Sequence, residues 1–274
     1  TESYIRAKDT YQQNFVESHI LGPSGNMTGI GNQLFCVATA LGYAYDNDAT
    51  PYFPQIRTDS LISVYRDTFY KNMNIGRSGA FSTGFYNEPN FSYDQIKPLK
   101  GNIKVSGYFQ SYKYFDNHRD KILKDLNIEN IKCLLEKKYG NYSDYISLHV
   151  RRGDYLKLSD YHHNLDIEYY KLATKYFDKN SKYLVFSNDI EWCKENFSFL
   201  NNVEFCENKE DWEDMILMSL CGHNIIANSS FSWWGAWFNT NQNKKVIAPR
   251  KWFGPSYSNK DTKDLIPPEW TIIE

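Results

Sequence analysis

Short apolar runs separated by polar loops and helix-patterned stretches organise the second half of the chain. Residues 146–150, 183–186, 203–206, 223–227 and 245–248 read as strands of four or five residues, the last closed by Pro249. Between them, apolar residues recur at helical spacing. Ile167, Tyr170, Ala173 and Phe177 form one such set, and Trp212, Met215, Leu217 and Leu220 another. Asp189 opens a helical stretch through Trp192 and Cys193, and Ser230 or Ser232 caps a helix through Trp237. Short strands alternating with helices predict an α/β protein with a parallel, doubly wound sheet, whose ligands bind at the carboxyl ends of the strands. Three polar clusters fall at such ends: 151–154, 187–189 and 228–232.

The first half is less regular. A glycine-rich loop over 22–31 precedes an amphipathic helix over 32–45, with Leu34, Phe35, Ala38, Leu41 and Tyr45 on one face. Residues 103–109 read as a strand and 117–140 as two charged helices. The polar stretch 141–144 sets the expected boundary between an N-terminal domain, 1–144, and a C-terminal domain, 145–274.

The 274 residues include 41% hydrophobic and 23% charged positions, a globular composition. A net charge of -2 gives no general attraction to nucleic acid or to an anionic membrane, and the arginines form no basic stripe. No apolar run approaches the ~20 residues of a membrane span, and residues 1–13 are polar, without a signal-peptide core. The five cysteines are widely spaced, with no CxxC pair, so buried free thiols are expected and no zinc site or disulfide framework. The aromatic content, 17% with 22 Tyr, fits both an AT-rich coding sequence and a protein that lines carbohydrate sites with rings. Five Asn-x-Ser/Thr sequons, at Asn26, Asn90, Asn141, Asn196 and Asn228, are expected by chance in so Asn-rich a chain.

Four segments carry candidate chemistry. In His149-Val-Arg-Arg-Gly-Asp-Tyr155, two guanidinium groups follow a strand and can grip a diphosphate bidentately. Asp154 either holds an arginine or faces substrate. In Ala227-Asn-Ser-Ser-Phe-Ser-Trp-Trp-Gly-Ala-Trp237, a strand passes through hydroxyl residues into a helix whose first amides and dipole favour an anion. Simple N-capping is the plainer reading of that turn. Gly29-Ile-Gly-Asn-Gln-Leu-Phe35 lacks the third glycine and the distant acid of a dinucleotide fingerprint, which argues against NAD. Its Asn32 and Gln33 suit hydrogen bonding to a sugar or phosphate, or a plain cap. After the strand 183–186, Asn188 or Asp189 can read a base edge, or Asp189 can cap the following helix. Asp46-Asn-Asp48 has the spacing of a metal-binding Asp-x-Asp motif but lies at a helix tail and reads as a turn, so no metal site is expected.

Together with Gly107-Tyr-Phe-Gln-Ser-Tyr-Lys-Tyr-Phe115, these segments resemble glycosyltransferase family 11, the α-1,2-fucosyltransferases. The resemblance implies a GT-B architecture, two Rossmann-like domains facing across a cleft, with acceptor on the N-terminal side and nucleotide sugar on the C-terminal side. It implies GDP-fucose as donor substrate, a galactose-containing glycan as acceptor, inversion at the anomeric carbon, and neither metal nor other cofactor. By the same likeness Arg151 holds the β-phosphate, with Arg152 beside it. Ser230, Phe231, Ser232 and Trp233 surround the phosphates, His149 with Asn188 or Asp189 approaches guanine, and Asn32 sits at the donor–acceptor junction; the residues themselves add Ser229 as a further phosphate donor and Gln33 beside Asn32. Asp154 leads the candidates for general base, ahead of Asp160, His162 and His163; the two histidines also fall on the acceptor side. A cytoplasmic or cytosolic-face protein is expected, ahead of a truncated Golgi-type enzyme. The competing readings are a transferase of the same scaffold using another nucleotide sugar or making another linkage, and a non-catalytic carbohydrate-binding protein.

Overall fold

Residues 14–18, 20, 28–54, 56, 63–75, 82–207 and 209–274 are described by the computed structural model. The sequon at Asn26 and most of the expected glycine-rich loop lie outside the described residues. Two compact units make up the chain: Thr1–Thr28 with Asn32–Asn127, and Gly29–Gly31 with Ile128–Glu274.

The first unit is built on a four-stranded parallel sheet of order β2-β1-β4-β3. Its strands are β1 (Phe15–Ser18), β2 (Thr50–Tyr52), β3 (Gly84–Asn87) and β4 (Ile103–Ser106). Helix α1 (Ile30–Asn47) buries Leu34, Phe35, Val37, Ala38 and Leu41, as its periodicity predicts. Tyr45 departs from that face. It is exposed, and its hydroxyl bonds Asp125 instead of entering the core. The helix stops at Asn47, followed by Asp48 at φ 49°, a left-handed turn. Asp46 there is held by His118 Nε2 at 2.6 Å. The described part of this unit also holds helices α2 (Ser63–Asp67) and α3 (Arg119–Asp125) and the short 3-10 turns Tyr112–Tyr114 and Asp116–His118.

The second unit begins with α4 (Ile128–Tyr139). The division thus falls at Asn127, earlier than the polar stretch 141–144. Asn127, at φ 59°, turns the chain between α3 and α4. The helix α4 is then tied into the second unit. Lys132 Nζ donates to the Phe238 carbonyl at 2.7 Å, and Glu213 accepts from Lys138 Nζ at 2.6 Å and Tyr139 Oη at 3.0 Å.

Six parallel strands follow: β5 (Tyr145–Val150), β6 (Lys182–Ser187), β7 (Asn202–Phe205), β8 (His223–Ile225), β9 (Val246–Pro249) and β10 (Thr271–Ile273). They stand in the order β10-β9-β8-β5-β6-β7. Helices α5 (Gly153–Lys157), α6 (Ile167–Thr174), α7 (Ile190–Asn196), α8 (Asp211–Leu220) and α9 (Ser230–Phe238) connect them. Ile146, Leu148, Val150, Tyr170, Val185, Cys193, Phe197, Ile225 and Ile247 form one continuous core. The α9 tryptophans Trp233, Trp234 and Trp237 are buried too.

All five cysteines are free. Four are buried, while Cys133 is exposed on α4, contrary to the expectation of uniformly buried thiols. Among the described residues no helix is long and apolar enough to cross a membrane.

Candidate active site at the strand switch point

Numbered within their own unit, the strands from β7 to β10 run 3-2-1-4-5-6, the order of the dinucleotide-binding fold. The chain leaves β5 towards one edge of the sheet and β8 towards the other. A crevice therefore opens outside the carboxyl ends of these two neighbouring strands. The two long sequence motifs begin at those ends.

The loop after β5 is organised by Asn188. Its Oδ1 accepts from the Arg152 amide at 2.9 Å, and its Nδ2 donates to Asp154 Oδ1 at 3.2 Å. Gly153 is required here, because a Cβ at that position would stand 2.5 Å from Asn188 Nδ2. The two arginines then diverge in role. Arg152 Nε donates to Asp189 Oδ2 at 3.3 Å, and its guanidinium lies 4.0 Å from the centre of the Trp192 ring. Both contacts stay inside the unit. Arg151 donates from Nη2 to Asp154 Oδ2 at 2.8 Å and stands 5.3 Å from the Tyr155 ring centre. Its Nε is buried and has no partner among the described residues.

Burial alone would raise the Asp154 pKa. The hydrogen bond and charge of Arg151, with help from Asn188, instead hold it below the ordinary carboxylate value. His149, the last residue but one of β5, is a buried side chain against the Phe231 ring, centroids 5.6 Å apart. Burial, then the Arg151 charge, lowers its pKa from 6.5 to about 3, so the imidazole is neutral. Its Nδ1 has no partner among the described residues.

The loop after β8 is pinned by Asn228, whose Nδ2 donates to the carbonyls of His163 (2.7 Å) and Trp252 (2.8 Å). Ser229 caps α9 by accepting from the Phe231 amide at 3.3 Å, and no acidic residue stands in the first helical turn. Ser232 Oγ accepts from the Ala227 amide at 3.2 Å, closing the strand-to-helix turn. Residues 29–31 group with this unit, and Gly31 leaves room for the helix start. A Cβ on Gly31 would lie 2.6 Å from Ser230 C and Oγ.

Tyr155 joins the two loops. Its hydroxyl donates to the Asn228 carbonyl at 3.2 Å, and its ring stacks on His162 at 4.0 Å and 4°. No role was assigned to Tyr155 from sequence, although it closes the first motif; a tyrosine beside an arginine pair was the available signal. Asn164 and Trp192 were likewise unassigned. Asn164 Nδ2 donates to the Tyr155 carbonyl, and its Oδ1 is buried without a partner among the described residues.

Other candidates stand elsewhere or are engaged. Asp189 occupies the N-cap position of α7 without making a side-chain capping bond, since it holds Arg152. His162 and His163 are half-buried, and burial lowers both pKa values. The Asp160 carbonyl accepts from the Ser256 amide. Asn32 and Gln33 belong to the first unit. Asn32 Oδ1 accepts from Gln110 Nε2 at 2.8 Å. Gln33 is buried, donating to the Thr28 carbonyl and accepting from Tyr70 Oη.

Chemically, the crevice offers a pre-placed guanidinium, a buried donor without an acceptor, and a helix N-terminus free of acidic side chains. Such an arrangement favours an anion. Among the described residues no group of three or more His, Cys, Asp or Glu is arranged to hold a metal ion.

The model of glycosyl transferase family 11 matches residues 86–274. The chain is 38% identical over 182 residues to O-antigen biosynthesis glycosyltransferase WbnK of Escherichia coli, covering 61% of this chain and 60% of that protein. It is 37% identical over 193 residues to an alpha-1,2-colitosyltransferase of Escherichia coli, covering 64% of each. Human galactoside alpha-(1,2)-fucosyltransferase 1 is 28% identical over 155 residues, 49% of this chain and 42% of that one. The matches thus span less than two thirds of these relatives. Among solved structures, fucosyltransferase NodZ from Bradyrhizobium superposes with a TM-score of 0.51 at 14% identity, covering 82% of this chain and 91% of that one. Two Rossmann-like α/β units, each on a parallel sheet, make the architecture GT-B. With the family model matching more than half of its length, the chain belongs to glycosyltransferase family 11.

Proposed function

We propose that this protein transfers L-fucose from GDP-fucose to the 2-hydroxyl of a galactoside, inverting the anomeric carbon. The reading is carried by one observation: Tyr155 links the two loops at the β5/β8 switch point, with the Arg151 guanidinium 5.3 Å from its ring and its hydroxyl on the carbonyl of Asn228, the residue before the acid-free cap of α9. NodZ, of the same fold, has been crystallised with GDP. The galactoside and the α-1,2 linkage come from the named activity of the human relative.

In this mechanism the C1–O bond to the β-phosphate breaks ahead of attack by the acceptor hydroxyl. Negative charge grows on the leaving diphosphate as the sugar becomes oxocarbenium-like. Arg151 and the α9 amides bind that charge more tightly in the transition state than in the ground state, and so lower the barrier. Asp154 is a weak base, because its pKa is held low, and its task is to keep Arg151 in place. Arg152, through Asp189 and Trp192, keeps the loop shaped. A neutral His162 is the better-suited proton acceptor.

The colitosyltransferase relative supports a second donor reading. Colitose is fucose without its 3-hydroxyl. A site that hydrogen-bonds that hydroxyl discriminates strongly, by about 10⁴-fold, whereas an apolar one does not.

Thermal shift with GDP, UDP and dTDP tests the nucleotide. GDP at a hundred times its Kd is expected to add about 2.7 kcal/mol of stability. Stabilisation by UDP or dTDP and not by GDP overturns the proposal. Fucosyl and colitosyl donors assayed on a galactoside, followed by linkage analysis of the product, then separate the two sugars.

A further inference from the structure

The first unit holds a cavity of about 360 Å³, within the size range of small-ligand sites and lined by none of the residues of the strand switch point. It lies among the second half of α1, residues 93–98 and the short turn Tyr112–Tyr114. We propose that this cavity is a saccharide subsite, holding a neutral sugar residue of a glycan. The inference goes beyond the donor reading and does not depend on it.

Three observations support a sugar. The first is a buried group awaiting a partner. Thr39 lines the cavity at 1% exposure, and its Oγ1 has no hydrogen-bond partner among the described residues. A threonine inside a helix ordinarily returns its hydroxyl to a carbonyl one turn back. Here it does not, which leaves a buried, unsatisfied hydroxyl in the cavity wall that a small side-chain adjustment would offer to a ligand.

The second is a set of rings fixed before any ligand arrives. The Tyr43 hydroxyl accepts from the Leu99 amide at 3.0 Å. The Tyr114 hydroxyl accepts from the Asp94 amide at 3.2 Å and donates to Glu88 Oε1 at 3.3 Å. Tyr93 meets Tyr114 edge-on, centroids 4.8 Å apart. Rigid aromatic walls suit the C–H faces of a pyranose, while hydroxyl and amide groups such as Thr39, Asn47 and Gln95 suit its rim.

The third is charge. The lining has one carboxylate, Asp46, and one ammonium, Lys113. Asp46 is already engaged by His118 at 2.6 Å, and Lys113 lies 5.9 Å from the Tyr93 ring centre. That balance selects neither a phosphate nor a cation. A neutral polyol matches it.

Saturation-transfer NMR on the full chain tests the proposal. The probes are D-glucose, D-galactose, D-mannose, L-fucose, N-acetylglucosamine and N-acetylgalactosamine, with GDP present. At least one sugar is expected to receive saturation. That signal should fall at least fivefold in Tyr93→Ala and Thr39→Val, and hold in Arg151→Ala. Should either cavity variant fail to fold, judged by circular dichroism, Gln95→Ala at an exposed position gives the same readout. Silence from every sugar, or a signal that survives the cavity variants, overturns the proposal. A cavity-dependent sugar signal without stabilisation by GDP would leave this site standing and remove the donor reading.

Discussion

At the carboxyl end of β4, in the first unit, the amides of Tyr108 and Phe109 both donate to Glu88 Oε2, at 2.8 and 3.0 Å. At the carboxyl end of β8, in the second, the turn into α9 has only the uncharged Ser229 as its cap and no acidic residue in its first turn. Both ends belong to parallel sheets, and both present backbone donors. One unit satisfies them with its own carboxylate. The other has no acidic residue in its first helical turn, and the loop after the neighbouring strand β5 carries Arg151 with its unpartnered Nε. A parallel sheet thus supplies the same opportunity twice, and side-chain chemistry decides whether it is closed for stability or kept open for a ligand.

The comparison is broken most directly at Arg151. Arg151→Ala should lower kcat by about a hundredfold or more, the scale of losing one preorganised charge-stabilising donor. Near-normal turnover in a folded variant would sink the catalytic assignment. In the first unit, Glu88→Ala should cost stability instead, about 2 kcal/mol for two bonds to a charged acceptor, read as a lower urea midpoint. A comparable loss of kcat, with stability intact, would erase the contrast between the two strand ends.

Arg152→Ala sharpens the division within the arginine pair. Loss of the Trp192 and Asp189 contacts should destabilise the fold by about 1 kcal/mol, with kcat changed far less than in Arg151→Ala. Equal kinetic losses in both variants would restore a paired phosphate clamp.

Asp214, in the first turn of α8, gives an effect on stability alone. Burial raises its pKa to about 7, although a hydrogen bond from Cys206 works the other way. A carboxyl raised in the folded state stabilises the protein while protonated, and that contribution is lost as pH climbs through the folded value. Stability should therefore fall by about 1 kcal/mol between pH 6 and 8. Asp214→Asn should flatten that slope, and an unchanged slope would move its origin to another group.

Much of the second unit was legible because its strands are short, apolar and punctuated by polar turns. Five of its six strands follow from that pattern. The strand β10, three residues near the chain end, leaves too short a signal. In the first unit β1, β2 and β3 are three or four residues long and half-exposed, so they lack a clean apolar run. The division at Asn127 was hidden because only Leu126 and the left-handed Asn127 separate α3 from α4.

At the site, residue types were easier to read than directions. Sequence put Arg151, Arg152, Asn188 and Asp189 near one crevice. It gave no sign that Asn188 ties the loop together or that Arg152 turns onto Trp192, since both depend on contacts between residues 34 or more positions apart. Gln33 looked available at a helix start, yet Tyr70, 37 residues away, engages it in the interior.

The grouping of residues 29–31 with the second unit also bears on how the chain acquires its shape during synthesis. Gly31 leaves the ribosome about two hundred residues before Ser230, whose turn it accommodates. The nucleotide-side fold is therefore discontinuous in sequence, and an isolated 128–274 fragment would emerge with that turn missing a neighbour. Its completion must wait for long-range closure, so this corner of the molecule should be among the last to lock.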